Sequence, residues 1–190
     1  MARDTPQTHG EILAAAARRF AVTGYRGTSL QDIAREVGCS KAAVLYHFAS
    51  KEALLAELLA QPLEVLRQLD ERLAPLDGAE AQRAGAEGFV DLAVRFRREI
   101  ALLRGEFPEL LAQPAFAHVQ QISERLVDAL SGHTDRLEAR ITAMVLLAGI
   151  SEACAEFVDV PDDDLRPALL AVARRALAPL DPPSTTEDRI

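Results

Sequence analysis

Residues 28–52 read TSLQDIAREVGCSKAAVLYHFASKE. Within this stretch Leu30, Ile33, Ala34 and Val37 recur at the spacing of one helical face, which predicts a helix starting near Ser29. Thr28, with Gln31 three residues on, fits a capping box that satisfies the free amides of a first turn. Gly38 follows the last apolar residue, where a left-handed backbone is cheap only for glycine, and Ala34 is small enough to let a crossing helix approach closely. Ser40 is then placed to cap a second short helix. A capped helix, a glycine turn and a second short helix make a helix-turn-helix, the layout that seats its second helix in the major groove of DNA.

Upstream, Ile12, Leu13, Ala16, Ala17 and Phe20 share one face of a helix expected from Gln7 to Val22, ended by Gly24. Downstream, Ser50 opens a helix with a Leu54, Leu55, Leu58 and Leu59 stripe, which Pro62 should kink or end at Gln61. The junction between two modules is therefore placed between Pro62 and Gly78. Further helices are expected at Ala79–Arg104, Glu109–Gln113, Ala115–Leu130, Asp135–Val158 and Asp164–Leu177, with breaks at Gly105–Pro108 and Ser131–Thr134. The tail, residues 181–190, is rich in Pro, Ser, Thr and charge and is expected to be disordered.

The composition agrees with an all-α chain. Its 190 residues are 49% hydrophobic but only 5% aromatic, and Ala, Leu, Glu and Arg outweigh β-branched strand formers. The net charge of −8 looks wrong for a nucleic-acid binder until it is divided along the chain. Residues 1–51 hold seven Lys and Arg against four Asp and Glu, a net +3, while the remaining 14 basic and 25 acidic residues leave −11. The basic part can approach phosphate and the acidic part would face away from it. The start lacks an apolar signal region and the longest apolar stretch, Ala143–Ile150, is too short to span a bilayer, so a cytosolic protein without a membrane partner is expected. Cys39 and Cys154 are read as small buried residues rather than as a disulfide or a redox pair.

No catalytic constellation is found. His9, His47, His118 and His133 show neither a His-Glu-x-x-His pair nor a Glu-x-x-His pattern, so no metal and no cofactor are expected. Gly38-Cys39-Ser40-Lys41-Ala42 has the outline of a nucleophile elbow, but that device follows a strand, and a capped helix precedes it here.

The segment from about 6 to 66 resembles the TetR family of bacterial transcriptional repressors. The elements that carry the resemblance are Phe20 followed by Gly24-Tyr25, then Thr28-Ser29, Ile33-Ala34, Val37-Gly38, Ser40-Lys41, and Tyr46-His47-Phe48 ahead of Ser50-Lys51-Glu52-Ala53-Leu54. The resemblance implies a three-helix DNA-binding domain over 6–66 with its motif at 29–48, and a helical ligand-binding and dimerisation domain over 79–180. It also implies a ligand-responsive repressor that binds a pseudo-palindrome as a homodimer. The chain departs from the family at Leu45, where many members have tyrosine, and at Ala42 and Ala43, where Gly or Pro and then Thr are common. Alanines there favour apolar contact to thymine methyls over hydrogen-bonded readout.

Candidate DNA contacts follow residue by residue. Lys41 reaches a guanine edge or a phosphate, and the short side chains of Ser40, Ala42 and Ala43 let the helix seat deeply. Tyr46 and His47 can donate to phosphate oxygens, where the resemblance also places them. Thr28 would cap the first motif helix and, with that helix's amino-terminal end, touch phosphate, and Ser29 beside it is counted among the DNA contacts. Lys51 lies in a first turn, where the helix dipole disfavours a cation, so a phosphate partner would explain it.

In the second half Phe89, Phe96, Phe107 and Phe116 supply apolar walls for a small-molecule pocket, with Arg97, His118 and Gln121 as its polar groups. The helix through Ala143–Ile150 is apolar on every side and calls for a cover. A twofold mate is the expected one, packed as a four-helix bundle through Met144, Ala148 and Ser151 of one helix and Leu169, Ala173 and Leu177 of the next; an internal core helix is the alternative. The rival to the whole reading is a helical ligand-sensing or protein-interaction module whose motif reads no specific operator.

Overall fold

The computed structural model describes residues 5–102 and 116–178, and among these it holds ten helices and no strand. In chain order they are α1 Thr5–Gly27, α2 Leu30–Val37, α3 Lys41–His47, α4 Lys51–Leu58 and α5 Ala60–Leu73. There follow α6 Gly78–Arg95, α7 Arg97–Ala101, α8 Ala117–Leu130, α9 Leu137–Glu156 and α10 Asp162–Leu177. The expectations at 103–115, Phe107 included, and at 181–190 lie outside the described residues.

Helices α1 to α4 close around a small apolar core. Ile12, Ala15, Ala16 and Phe20 from α1 are buried with Ile33 and Ala34 of α2, Val44 of α3, Phe48, and Leu54 and Leu55 of α4. Gly24 breaks α1 where expected, at φ 75° and ψ 162°, but helical bonding resumes for one turn to Gly27. Gly38 takes the left-handed conformation at φ 76° and its N–H, with that of Cys39, closes the end of α2 on Ala34 O and Arg35 O.

Two boundaries differ from the sequence reading. Pro62 does not end a helix. The break falls earlier, at Leu59 (φ −92°, ψ 0°), and Pro62 sits in the first turn of α5, where a missing N–H loses no hydrogen bond. The long helix expected over Ala79–Arg104 is interrupted at Phe96 (φ −113°, ψ 28°), which separates α6 from α7.

The second unit is built around α6, which packs on α5, α8, α9 and α10. Arg125 of α8 holds Asp70 of α5 through two nitrogens at 2.8 and 2.6 Å, and Arg166 of α10 reaches Asp91 of α6 at 2.6 Å. The α5–α6 approach is close because Gly88 carries no side chain: a Cβ there would stand 2.3 Å from Leu69 Cδ1, and Leu69 is only 2% exposed. Cys154 is buried as expected, and burial pushes its thiol up to about 11, whereas Cys39 is only half-buried.

Gly88→Ala gains at most about 1 kcal/mol of helix propensity but overpacks Leu69 at a cost of roughly 1–3 kcal/mol, so the urea midpoint should fall. The same change at Gly10, where nothing lies within 4 Å of a new Cβ, should raise it. In the native protein, iodoacetamide near neutral pH should label Cys39 and spare Cys154; mass spectrometry of the digest reads the ratio.

Candidate nucleic-acid interface

The seven residues of α3 turn two faces to different surroundings. Val44 is fully buried, and Phe48 beyond the helix end is nearly so, while Lys41, Ala42, Leu45 and Tyr46 are exposed and Ala43 and His47 are half-buried. Ser40 starts the helix as its N-cap, with its hydroxyl oxygen accepting from the Ala43 N–H at 3.0 Å. Because Val44 must face the core, the helix has no freedom to rotate the other residues inward. Tyr46 is 81% exposed, which rules out packing on α1, and its ring meets that of His47 edge-on at 5.3 Å.

Several cations of this unit are already paired. Arg18 and Arg19 each lie 2.8 Å from Glu36, and Arg35 lies 2.9 Å from Asp32. Lys41 has no ion-pair partner among the described residues. An exposed, unpaired ammonium at the start of a protruding helix is free to meet a phosphate or a guanine edge.

Three expectations at this face need correction. The capping box is formed by Ser29 and Asp32, not by Thr28 and Gln31: Ser29 Oγ accepts from the Asp32 N–H at 3.2 Å, and Asp32 Oδ2 accepts from the Ser29 N–H at 3.1 Å. Thr28 is one residue too early and only 2% exposed, with its Oγ1 2.8 Å from Gly24 O and 2.8 Å from Thr23 Oγ1, so it presents no hydroxyl to a phosphate. Lys51 turns back into the protein, donating to Tyr25 O at 2.7 Å and Thr28 O at 2.9 Å. Ser29 remains exposed as the N-cap of α2.

His9 is a member of this region that sequence reasoning left without a role. Its ring stacks on Phe48 at 4.5 Å, stands edge-on to His47 at 5.9 Å, and its Nε2 lies 2.6 Å from Glu57 Oε1 of α4. No local signal could have found this contact, since 48 residues separate the pair.

In the second unit the described members of the expected pocket differ in exposure. Phe96 and Phe116 are buried and Phe89 is half-buried, but Gln121 points to solvent. Arg97 is already engaged, donating to Val158 O at 2.8 Å and pairing with Asp162 at the start of α10. His118 lines a shallow groove between α5 and α8 together with Ala60, Leu63, Arg67, Val119 and Ile122. Of the residues expected at a dimer interface, Met144 and Ala148 are exposed and Ser151 and Leu177 are half-buried, whereas Leu169 and Ala173 face the subunit's own core. The exposed apolar residues of α10 include Ala168 and Val172 instead.

Two capped helices joined at a left-handed glycine and held on a shared core have the layout of a helix-turn-helix. Residues 12–58 match the model of the bacterial regulatory proteins of the tetR family. The chain is 32% identical over 139 residues to the HTH-type transcriptional regulator RutR of Escherichia coli, a match covering 70% of this chain and 60% of that one. The amino-terminal helix-turn-helix of the chain is thus similar to that of the TetR family of transcriptional regulators. The chain is also 28% identical over 116 residues to the HTH-type transcriptional repressor KstR2 of Mycobacterium tuberculosis, covering 58% of this chain and 56% of that one. The matched part thus spans a little under two thirds of these curated relatives. The solved structure of the ketosteroid transcriptional regulator KstR2 shares the fold, with a TM-score of 0.69 at 20% identity, over 89% of this chain and 92% of the other. No helix of the described residues is long and apolar enough to cross a membrane.

Ser29→Ala removes the observed cap and should cost about 1 kcal/mol, whereas Gln31→Ala should leave stability unchanged; chemical denaturation of the purified chain compares them. The Ser29 hydroxyl, and then its N–H, hold the Asp32 carboxyl below the usual carboxylate range. A lowered carboxylate pKa adds stability that is present above the unfolded value and lost as pH falls through the folded one. The gap between wild type and Ser29→Ala should therefore shrink on acidification below about pH 4.

Proposed function

We propose that the chain is a ligand-responsive repressor that binds a pseudo-palindromic operator as a homodimer. The observation that carries this reading is the outward face of α3, where unpaired Lys41 stands beside Ala42, Leu45 and Tyr46 on the basic part of an otherwise acidic chain. In a duplex groove Lys41 meets a guanine edge or phosphate, Ala42 and Leu45 meet thymine methyls, and Tyr46 and His47 donate to backbone oxygens. Ser40, at the start of α3, adds a hydroxyl near the phosphates, the Ser29 hydroxyl being held by Asp32, and Ala43 leaves room for the helix to seat. Work on genomic DNA in this role places the protein in the cytoplasm.

The second copy is supported by an uncovered apolar stripe on α9. Met144 is 60% exposed and Val145 64%, Ile141, Ala148 and Gly149 continue the stripe, and Val172 and Ala168 of α10 are exposed as well. Such a surface marks an interface rather than a solvated face. Two symmetric heads then read half-sites one duplex turn apart, roughly 34–36 Å between recognition helices. The effector is a small, mostly apolar molecule held in the second unit near the groove that His118 borders. It must bind the non-DNA-binding arrangement more tightly, because equal affinity for both shifts nothing.

Selection of bound fragments from genomic DNA should return a palindromic site. On that site Lys41→Ala should weaken binding by about 1–3 kcal/mol, and an unchanged affinity would remove Lys41 from base readout. Ala148→Arg should convert the dimer to a monomer in sedimentation; an intact dimer would place the interface elsewhere. Selection that enriches no sequence at low salt would favour the helical sensing module without an operator.

A further inference from the structure

We propose that Leu45 is the specificity-determining side chain of α3, reading a thymine of the operator by packing on its C5 methyl. The inference deepens the reading of α3 as the groove helix and rests on it. From Ser40 to His47 the chain reads SKAAVLYH, with no Asn, Gln, Asp, Glu or Arg. Adenine is read through its N6 and N7 by a side-chain amide, and the cytosine amino group by a carboxylate. Neither group is available on α3. Guanine takes an arginine or a lysine, which Lys41 supplies, and the remaining base feature of the major groove is the thymine methyl, which asks for an apolar partner.

Geometry puts that partner at the middle of the outward face. At about 100° per residue, Leu45 and Ala42 fall about 60° apart, with Lys41 flanking Leu45 and Tyr46 flanking Ala42. Val44 is fully buried and holds the helix in this orientation. Leu45 is 42% exposed, a branched apolar side chain turned outward between polar ones, and Ala42 beside it is too short to hold the helix off the bases. Lys41 serves a guanine edge or any phosphate, and Tyr46 and His47 donate to backbone oxygens that are the same in every sequence. A leucine gives nothing to a phosphate. Its contribution in a duplex groove comes from taking a methyl group and its own tip out of water, so it depends on which base lies beneath it.

Spacing adds a second step. Ala42 lies three residues before Leu45, about 4.5 Å along the helix axis, against about 3.4 Å between successive bases of a strand. The methyl of Ala42 therefore meets the base step next to the one under Leu45. The half-site is expected to carry thymines at two adjacent steps, on either strand, beside a guanine within reach of Lys41.

The test uses the duplex recovered by selection from genomic DNA, with each thymine replaced in turn by deoxyuridine, which lacks only the C5 methyl. Loss of one buried methyl is worth about fourfold in affinity. Fluorescence anisotropy should show two adjacent steps in each half-site at which uracil weakens binding about fourfold per methyl. In Leu45→Ala one of the two steps should become indifferent to the methyl while the other keeps its preference. Any effect of uracil on duplex stiffness would persist in Leu45→Ala, so comparing the two proteins isolates the contact. Leu45 is exposed and alanine is the stronger helix former, so the variant keeps the fold, which its urea midpoint checks. The scan of the wild-type protein needs no variant: a site whose thymines all tolerate uracil overturns the proposal. So does a uracil penalty that is unchanged at every step in Leu45→Ala. A selection that enriches no sequence ends the operator reading itself, and this inference with it, so the two failures are told apart.

Discussion

A helix of seven residues has no stability of its own, since nucleation costs more than one or two turns of hydrogen bonds return. Helix α3 exists because Val44 and Phe48 are buried among Phe20, Ile33, Ala34 and Leu54. That burial sets everything else at the front of the molecule. It determines which residues of α3 face outward, it requires Gly38 to turn the chain sharply enough for α2 and α3 to share one core, and it fixes where the Ser40 cap must lie. The outward face then needs no further specification. Lys41, Ala42, Leu45 and Tyr46 are presented because Val44 is not.

Electrostatics divides the chain along the same line as packing. The amino-terminal unit carries the positive balance, but several of its arginines are committed to Glu36 and Asp32, and Lys51 is committed to backbone carbonyls. Net charge steers the approach to a polyanion, while contact at the groove depends on the few cations left without partners. The acidic second unit uses its carboxylates differently, tying α5 to α8 and α6 to α10 through Asp70 and Asp91. A charge count is thus informative about orientation toward DNA and uninformative about which side chains reach it.

Helix α4 connects the two units and is anchored on both sides of the reading head. Lys51 and Glu52 grip the end of α1, and Glu57 reaches His9 near its start. The chain then breaks at Leu59 before α5 joins the second unit. A motion of α5 would therefore meet a unit in which α4 and the three-helix head move together, with the change of direction concentrated at Leu59. Pro62 contributes to this arrangement by opening α5 rather than by ending the helix before it.

The features legible before any packing were local and periodic: the apolar stripes of the helices, the glycine at the motif turn, and the serine caps at Ser40 and Ser50. These follow from steric and hydrogen-bonding rules that act within a few residues. Tertiary structure alone decided the rest. Asp32 rather than Gln31 completes the cap because the helix begins one residue later, a shift that periodicity does not resolve. Thr28 and Lys51 look like free polar groups in sequence, but Thr28 is bonded to a carbonyl 4 residues away and Lys51 to one 23 residues away. Leu169 and Ala173 face the subunit's own core while Val172 between them faces out, because α6 occupies one side of α10. Which of two apolar faces is covered depends on where another helix lies, and that information is carried by the packed whole.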